Sequence, residues 1–306
     1  MSTVSKKLID LDGLATFKSK YDEKIENEIT TIADETILAL FDNLYATLTY
    51  TTTSANETVQ IAYINSYFER VIIDGEEQLD GTQSEDNADS ISYTFAEAGE
   101  HTVYVKIIDS TDLSYLFYNC TKLTSIGSGL FKNATSNTTF EYTFYGCSSL
   151  TSIPSGLFDN NTAVTTFGQT FRSTSITEVP ADLFRYNTAV TAFNHVFCGC
   201  TSLTSIPEGL FDNNTKVTSF AKICWGCTSL TSIPSGLFAD CPLVTTYNQS
   251  FYSCTSLTGE TPVNSEGLKL WELAGTDGYP DSIKGEDCFY NCTGLDDYDE
   301  IDDDWK

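Results

Sequence analysis

Residues 200–220 read CTSLTSIPEGLFDNNTKVTSF. The stretch holds a cysteine, two apolar pairs, a Pro-Glu-Gly turn and an Asn-Asn step, and no obvious catalytic side chain. It recurs: residues 147–167 read CSSLTSIPSGLFDNNTAVTTF and residues 227–247 read CTSLTSIPSGLFADCPLVTTY. The stretch is therefore a building unit. Phe117, Phe144, Phe171, Phe197, Cys224 and Phe251 mark one column of it, in steps of 27, 27, 26, 27 and 27 residues. The Leu-Phe pairs at 130/131, 157/158, 183/184, 210/211 and 237/238 keep the same beat.

A period in the twenties with Leu, Ile and Phe at fixed offsets predicts a leucine-rich-repeat solenoid over residues 112–258. Each unit has two apolar half-turns, read as strand, turn, strand, turn, and the Leu and Ile of LTSI stand three apart, so the segment bends inward. One unit cannot bury Leu150, Ile153, Leu157, Phe158, Val164, Phe167 and Phe171 by itself. Stacked between neighbours it can, at about 1.5 to 3 kcal/mol per fully buried side chain. The interfaces between units then carry most of the stability.

Six of the ten cysteines, Cys120, Cys147, Cys200, Cys227, Cys254 and Cys292, occupy one equivalent place in the unit. A cysteine recurring once per turn behaves as a small apolar residue in an internal column, which favours reduced thiols over disulfides. Cys224 and Cys227 form a CxxC, but no second pair or paired histidines complete a zinc site, and Cys224 stands where other units have phenylalanine. No metal and no cofactor are expected.

The flanks differ. In residues 1–46, Leu14, Phe17, Tyr21, Ile25, Ile29 and Ile32 form a helical stripe with charged residues between them. A lone helix would leave this seam wet, so it predicts an anchor that assembles as a homodimer or homotrimer; the alternative is a helix folded back on the next domain. Residues 47–111 alternate apolar and polar side chains between Gly-containing turns, as in TLTYTTT and HTVYVKI, predicting five or six strands of a small Ig-like β-sandwich. At that size it must lean on the array. Residues 259–306 interrupt the period with an insertion, then restore a last half-unit ending in an acidic run, Asp296 to Asp304, expected to be a polar cap. That run lacks the order of an EF-hand loop. The expected fold class is mainly β.

The net charge of −27 is carried by the flanks: segments 1–46, 47–111, 112–258 and 259–306 hold −4, −10, −2 and −11. Such a chain is repelled by phosphate backbones, which excludes nucleic acid as a partner. With 41% hydrophobic and 13% aromatic residues it can bury a core. No apolar run reaches the roughly 18 to 20 residues that span a bilayer, so no membrane insertion is expected. The start, MSTVSKKLIDLDGLATFKSKYDEK, does not read as a secretion signal.

An enzyme needs convergent groups, and the chain has only His101 and His195, in different regions. No GxSxG, Walker loop or HExxH appears. The expectation is a non-enzymatic binding module. The residues after the marker column are Tyr118, Tyr145, Arg172, Cys198, Trp225 and Tyr252, and two places before it stand Tyr115, Tyr142, Gln169, His195, Lys222 and Gln249. Variable polar and aromatic residues at fixed offsets are what a recognition surface needs. The candidate binding residues are Tyr118, Tyr145, Arg172, His195, Trp225 and Tyr252. For the tyrosines, covering the edge of the core is an equal reading. The threonine rows, Thr124, Thr151, Thr177, Thr204 and Thr231, suit a passive shaft as well as a glycan-binding surface.

The unit, with FYxC and LTSIP blocks recurring together over about half the chain, resembles the BspA-like leucine-rich repeats of bacterial surface proteins and of bacteriophages. SYTFAEAGEHTVYVKIIDSTDLSYLFYNC is similar to the small β-domain that leads into such arrays. The resemblance implies adhesion or surface display and carries no catalytic residues. KKLIDLDGLATFKSKYDEKI resembles short N-terminal segments of phage tail and head appendage proteins. Together these imply a virion fibre or appendage protein, assembled in the reducing host cytoplasm, with other virion proteins and a host-surface glycan or protein as partners. The alternatives are a bacterial cell-surface adhesin of the same repeat family and a passive structural decoration.

Overall fold

The computed structural model describes residues 44–63, 67–74, 76–79 and 90–306. The expected helical seam from Leu14 to Ile32 lies outside the described residues. The chain is mainly β. Its first part forms β1 (Ala46–Thr52), β2 (Glu57–Ala62), β3 (Phe68–Ile73), β4 (Glu76–Leu79), β5 (Ile91–Phe95) and β6 (Gly99–Ile107). The period-two alternation decides the faces: β1 buries Ala46, Leu48, Tyr50 and Thr52, and β6 buries Val103, Val105 and Ile107. Antiparallel pairing sets Leu48 opposite Val103 and Val71 opposite Val105.

This part departs from the expected Ig-like sandwich. Among the described residues the sheets have five strands, in the order β4-β3-β6-β1-β7, and two strands, β2-β5, so they are open and unequal rather than a matched pair. The fifth strand of the larger sheet, β7 (Leu123–Ile126), is the LTSI of the first repeat, antiparallel to β1 with Leu48 opposite Ile126. The reason is edge satisfaction: β1 would otherwise leave a row of main-chain groups unpaired. Buried Tyr50 crosses between the layers and donates its hydroxyl to the Ile61 carbonyl at 2.6 Å.

The junction explains one irregularity of the repeat. Where later units carry Pro154, Pro180, Pro207 and Pro234, the first carries Gly127. The Gly127 N–H donates to the Thr47 carbonyl at 2.8 Å, a bond proline cannot make, and a Cβ there would stand 2.9 Å from Thr47 Oγ1. Lys122 and Glu57 add an ion pair at 2.7 Å. The Lys122 hydrogen bond, helped by the Thr53 N–H, holds the Glu57 carboxyl down at about 2. One hydrophobic core runs without a break from Ala46 through the repeats to Trp305.

The repeats stack in parallel register. Single bridges join Asp112, Thr139, Thr166, Ala192, Ser219, Thr246 and Lys284 in succession. The expected strand-turn-strand-turn unit is corrected here: after β7 each repeat is built from turns and single bridges. Left-handed residues, such as Gln169 (φ 59°) and Ser173 (φ 58°), and tight turn bonds cut every extended segment short. Hydrogen bonds between coils replace long ladders; Phe117, Phe144 and Phe171 donate their N–H to the carbonyls of Thr143, Thr170 and Val196 at 2.8, 2.9 and 3.0 Å.

Side-chain columns fill the inside. Phe117, Phe144, Phe171 and Phe197 stack with ring centroids 5.4, 5.5 and 6.1 Å apart. Phe131, Phe158, Phe184, Phe211 and Phe238 form a second column, and Phe140, Phe167, Phe193, Phe220 and Tyr247 a third. Buried Asn161, Asn187 and Asn214 donate their amides to main-chain carbonyls of the preceding coil. Cys241 takes the same place one coil later.

All ten cysteines are free and buried. In the recurrent column, Cys147, Cys200, Cys227 and Cys254 donate S–H to the carbonyls of Phe117, Phe171, Phe197 and Cys224 at 3.0 to 3.1 Å. Burial pushes these thiols up, so they are poor nucleophiles.

The far end is closed by residues 259–306. Asp297 there is buried and accepts hydrogen bonds from the Thr261 N–H at 3.1 Å and from Lys269 Nζ at 2.6 Å. Burial opposes its charge, yet the Lys269 and Thr261 bonds hold its carboxyl below the usual range. Trp305 packs against Tyr247 and Trp271, covering the last coil's apolar edge.

Candidate functional site

One rim of the array is made by the same tight turn in every coil. The residue two places before the marker accepts a hydrogen bond from the residue just after it, as in Tyr118 N–H to Tyr115 O at 3.0 Å and Cys198 N–H to His195 O at 3.1 Å. The first residue of each turn is left-handed: Tyr115, Tyr142, Gln169, His195, Lys222 and Gln249 have φ between 56° and 62°. Its own N–H is tied to the next coil, as His195 is to the Ala221 carbonyl at 3.0 Å. The neighbouring coil thus holds in place a conformation that costs non-glycine residues roughly 1–2 kcal/mol. Two columns of side chains project from these turns.

At one end the rim is closed. Tyr115 stacks on Tyr142 at 4.6 Å and Tyr118 on Tyr145 at 5.0 Å. Tyr63 of the β-domain meets Tyr118 edge-on at 5.3 Å. The Arg172 guanidinium continues the ladder over Tyr145 at 5.4 Å, and its Nη1 donates to Gln169 Oε1 at 2.9 Å. At the other end Trp225, Tyr252 and Tyr290 stack at 5.8 and 4.6 Å.

Between the two ladders the rung is Cys198, a small side chain only 3% exposed. The missing ring leaves a cleft of about 310 Å³, lined by Arg172, His195, Cys198, Lys222, Trp225, Gln249 and Tyr252. Trp225 stands at its edge, 38% exposed. Arg172 and Lys222 have no acidic partner among the described residues, whereas Arg185 pairs with Asp159 and Lys122 with Glu57. Burial, reinforced by the two cations, pushes His195 down to about 4, so its imidazole is neutral at pH 7. Burial pushes the Cys198 thiol up although Arg172 and Lys222 act against it, and it stays protonated.

Of the residues picked from sequence, Arg172, His195, Trp225 and Tyr252 come together in this cleft. Tyr118 and Tyr145 do not; they stack in the closed ladder. Lys222, Gln249 and Cys198 complete the lining. The sequence signal for them was the one small residue in an otherwise large-residue column. Among the described residues no group of three or more His, Cys, Asp or Glu side chains could hold a metal ion, and no helix is long and apolar enough to cross a membrane.

No protein-family profile and no curated protein matches the chain. Among solved structures it is similar to a chain of the Toll–Spatzle complex of Drosophila, at 17% identity over 45% of this chain and 24% of that one, with a TM-score of 0.19. A chain of the TLR13–ssRNA13 complex aligns at 13% identity over 55% of this chain and 33% of that one, with a TM-score of 0.17. This chain thus covers about a quarter and about a third of the length of those it matches. Both neighbours are leucine-rich-repeat proteins; at these scores the likeness carries no argument about this one.

Proposed function

We propose that the protein is a non-enzymatic attachment protein. In this reading a leucine-rich-repeat solenoid of BspA-like type is carried on the small β-domain. It is mounted on a phage tail or head fibre through residues 1–46, as a dimer or trimer, and engages a glycan or protein of the host surface. The observation that supports it is the rim: one backbone turn, repeated with little change, presents the same tyrosine pair on its first two rungs and then side chains that vary from Gln169 and Arg172 to His195 and Cys198, Lys222 and Trp225, and Gln249 and Tyr252. Recognition needs such variety on a rigid frame; a passive shaft does not. Several copies joined at one end would raise avidity without new contacts.

The test is binding of the labelled full chain to an array of bacterial surface glycans, beside a variant carrying Arg172→Ala and Trp225→Ala. Retention of the wild type on particular glycans, and loss in the variant, is the expected result. Equal retention of both proteins overturns attachment through this rim, and no retention on any glycan overturns a glycan ligand and leaves only a host-surface protein. Light scattering of the full chain tests the assembly: a dimeric or trimeric mass is expected, and a monomer removes the avidity argument.

A further inference from the structure

We infer that the cleft at Cys198 binds an acidic sugar, a pyranose ring bearing a carboxylate; this rests on the attachment reading and names the ligand class of the same rim. Three features of the cleft converge on that chemistry. Arg172 and Lys222 both line it without an acidic partner among the described residues, in a chain whose net charge is −27. Trp225 offers an exposed indole at the same opening. His195 and Gln249 add a neutral imidazole and an amide, each able to donate and to accept.

Simpler ligands use only part of this set. A bare inorganic anion would engage the cations and leave the indole idle. A neutral sugar would cover the indole and leave two positive charges uncompensated. A carboxylated pyranose uses both, its C–H face on Trp225 and its carboxylate toward Arg172 and Lys222. The guanidinium is already oriented by Tyr145 and Gln169, so little side-chain freedom is lost on binding. Its planar fork matches a carboxylate, and such charge-assisted bonds are roughly twice as strong as neutral ones. Acidic groups stand at the margins: Glu141 bonds to Thr166 on one side, and Asp287 accepts from Gln249 at 3.2 Å on the other. They confine the cationic zone to the middle of the rim.

The probes are the methyl glycosides of glucuronic acid, galacturonic acid and N-acetylneuraminic acid, with methyl glucoside and methyl galactoside as neutral counterparts and inorganic phosphate as a bare anion. Each is titrated into the full chain by calorimetry, with intrinsic tryptophan fluorescence in parallel and Trp225→Phe as the control that assigns the signal. At least one acidic sugar should bind about 10-fold or more tighter than its neutral counterpart, and weaken as NaCl rises from about 0.05 to 0.5 M. Cys198→Tyr, which restores the missing ring, should abolish binding. Lys222→Met should remove the preference for acid while leaving the circular dichroism unchanged, and it serves as the test if Cys198→Tyr does not fold.

Equal affinity for acidic and neutral sugars overturns the acidic class and leaves attachment standing. Phosphate binding as tightly as the acidic sugars overturns the sugar. Binding that survives in both variants places the site elsewhere and overturns the proposal. Failure of all the probes overturns it too, and the glycan array then decides whether a glycan ligand of any kind falls with it.

Discussion

The interior and the rim of the array use the same coils in opposite ways. Inside, each column mostly repeats one chemistry, phenylalanine on phenylalanine, asparagine on asparagine, thiol above thiol, with Cys224, Cys241, Tyr247 and Thr174 as departures. On the rim the column changes from tyrosine to arginine, cysteine and tryptophan over successive turns whose backbone hardly changes. The difference shows that repetition carries stability while departure from repetition carries recognition. A ring stacked on its copy fills space along the interior columns, whereas on the rim the small Cys198 between larger side chains leaves a cleft.

The sharpest challenge to this division is Phe184→Ala. Phe184 contacts the rings of Phe158, Phe167, Phe193, Phe197 and Phe211. Its truncation should cost about 3–5 kcal/mol in urea unfolding of the full chain. A loss below about 1 kcal/mol would mean that the columns do not bind the coils together.

On the rim, Lys222→Gly should do the reverse. Lys222 sits at φ 56°, where glycine has no Cβ penalty, so the variant should unfold about 1 kcal/mol later while losing its hold on acidic sugars. Destabilisation would make the lysine part of the frame.

Tyr145→Cys copies the Cys198 rung into the closed end. It removes the stack on Tyr118 and the contact with Arg172, and should cost about 1 kcal/mol while opening a second cleft. Its effect is read by thermal unfolding, and the new opening by a crystal structure. If the ladder collapses to fill the gap, a small rung does not suffice to make a cleft.

A further test is the pH response of the rim. His195 titrates at about 4 in the fold against 6.5 for a free imidazole. Between these values the unfolded chain holds more protons, so stability should fall as pH drops from 6.5 towards 4. His195→Gln should flatten that part of the profile of melting temperature against pH. An unchanged profile would mean that His195 is better solvated than its surroundings imply.

Much of the array was legible in the sequence because its period is nearly constant. Phe117, Phe144, Phe171 and Phe197 lie at nearly equal steps and therefore in one column, and the same count placed the recurrent cysteines inside. The alternation of β1 and β6 was equally plain. What misled was local: LTSI resembles a strand in each of the four repeats that carry it, but it pairs as one only at β7, where β1 offers a free edge. The partner, and not the tetrapeptide, makes the strand.

The candidate site was half legible. Arg172, His195 and Trp225 stood out as departures from the repeat, but the tyrosines in the same columns gave no sign of which would be covered. The sequence by itself determined the spacing of the coils, the identity of their interior columns and the positions that vary. Only the tertiary structure decided that Tyr118 and Tyr145 close on each other while Cys198 leaves room beside Arg172, Lys222 and Trp225. The physical reason is that a column's residues lie about 27 apart in the chain and meet only by stacking, so a gap in it belongs to neighbouring coils together.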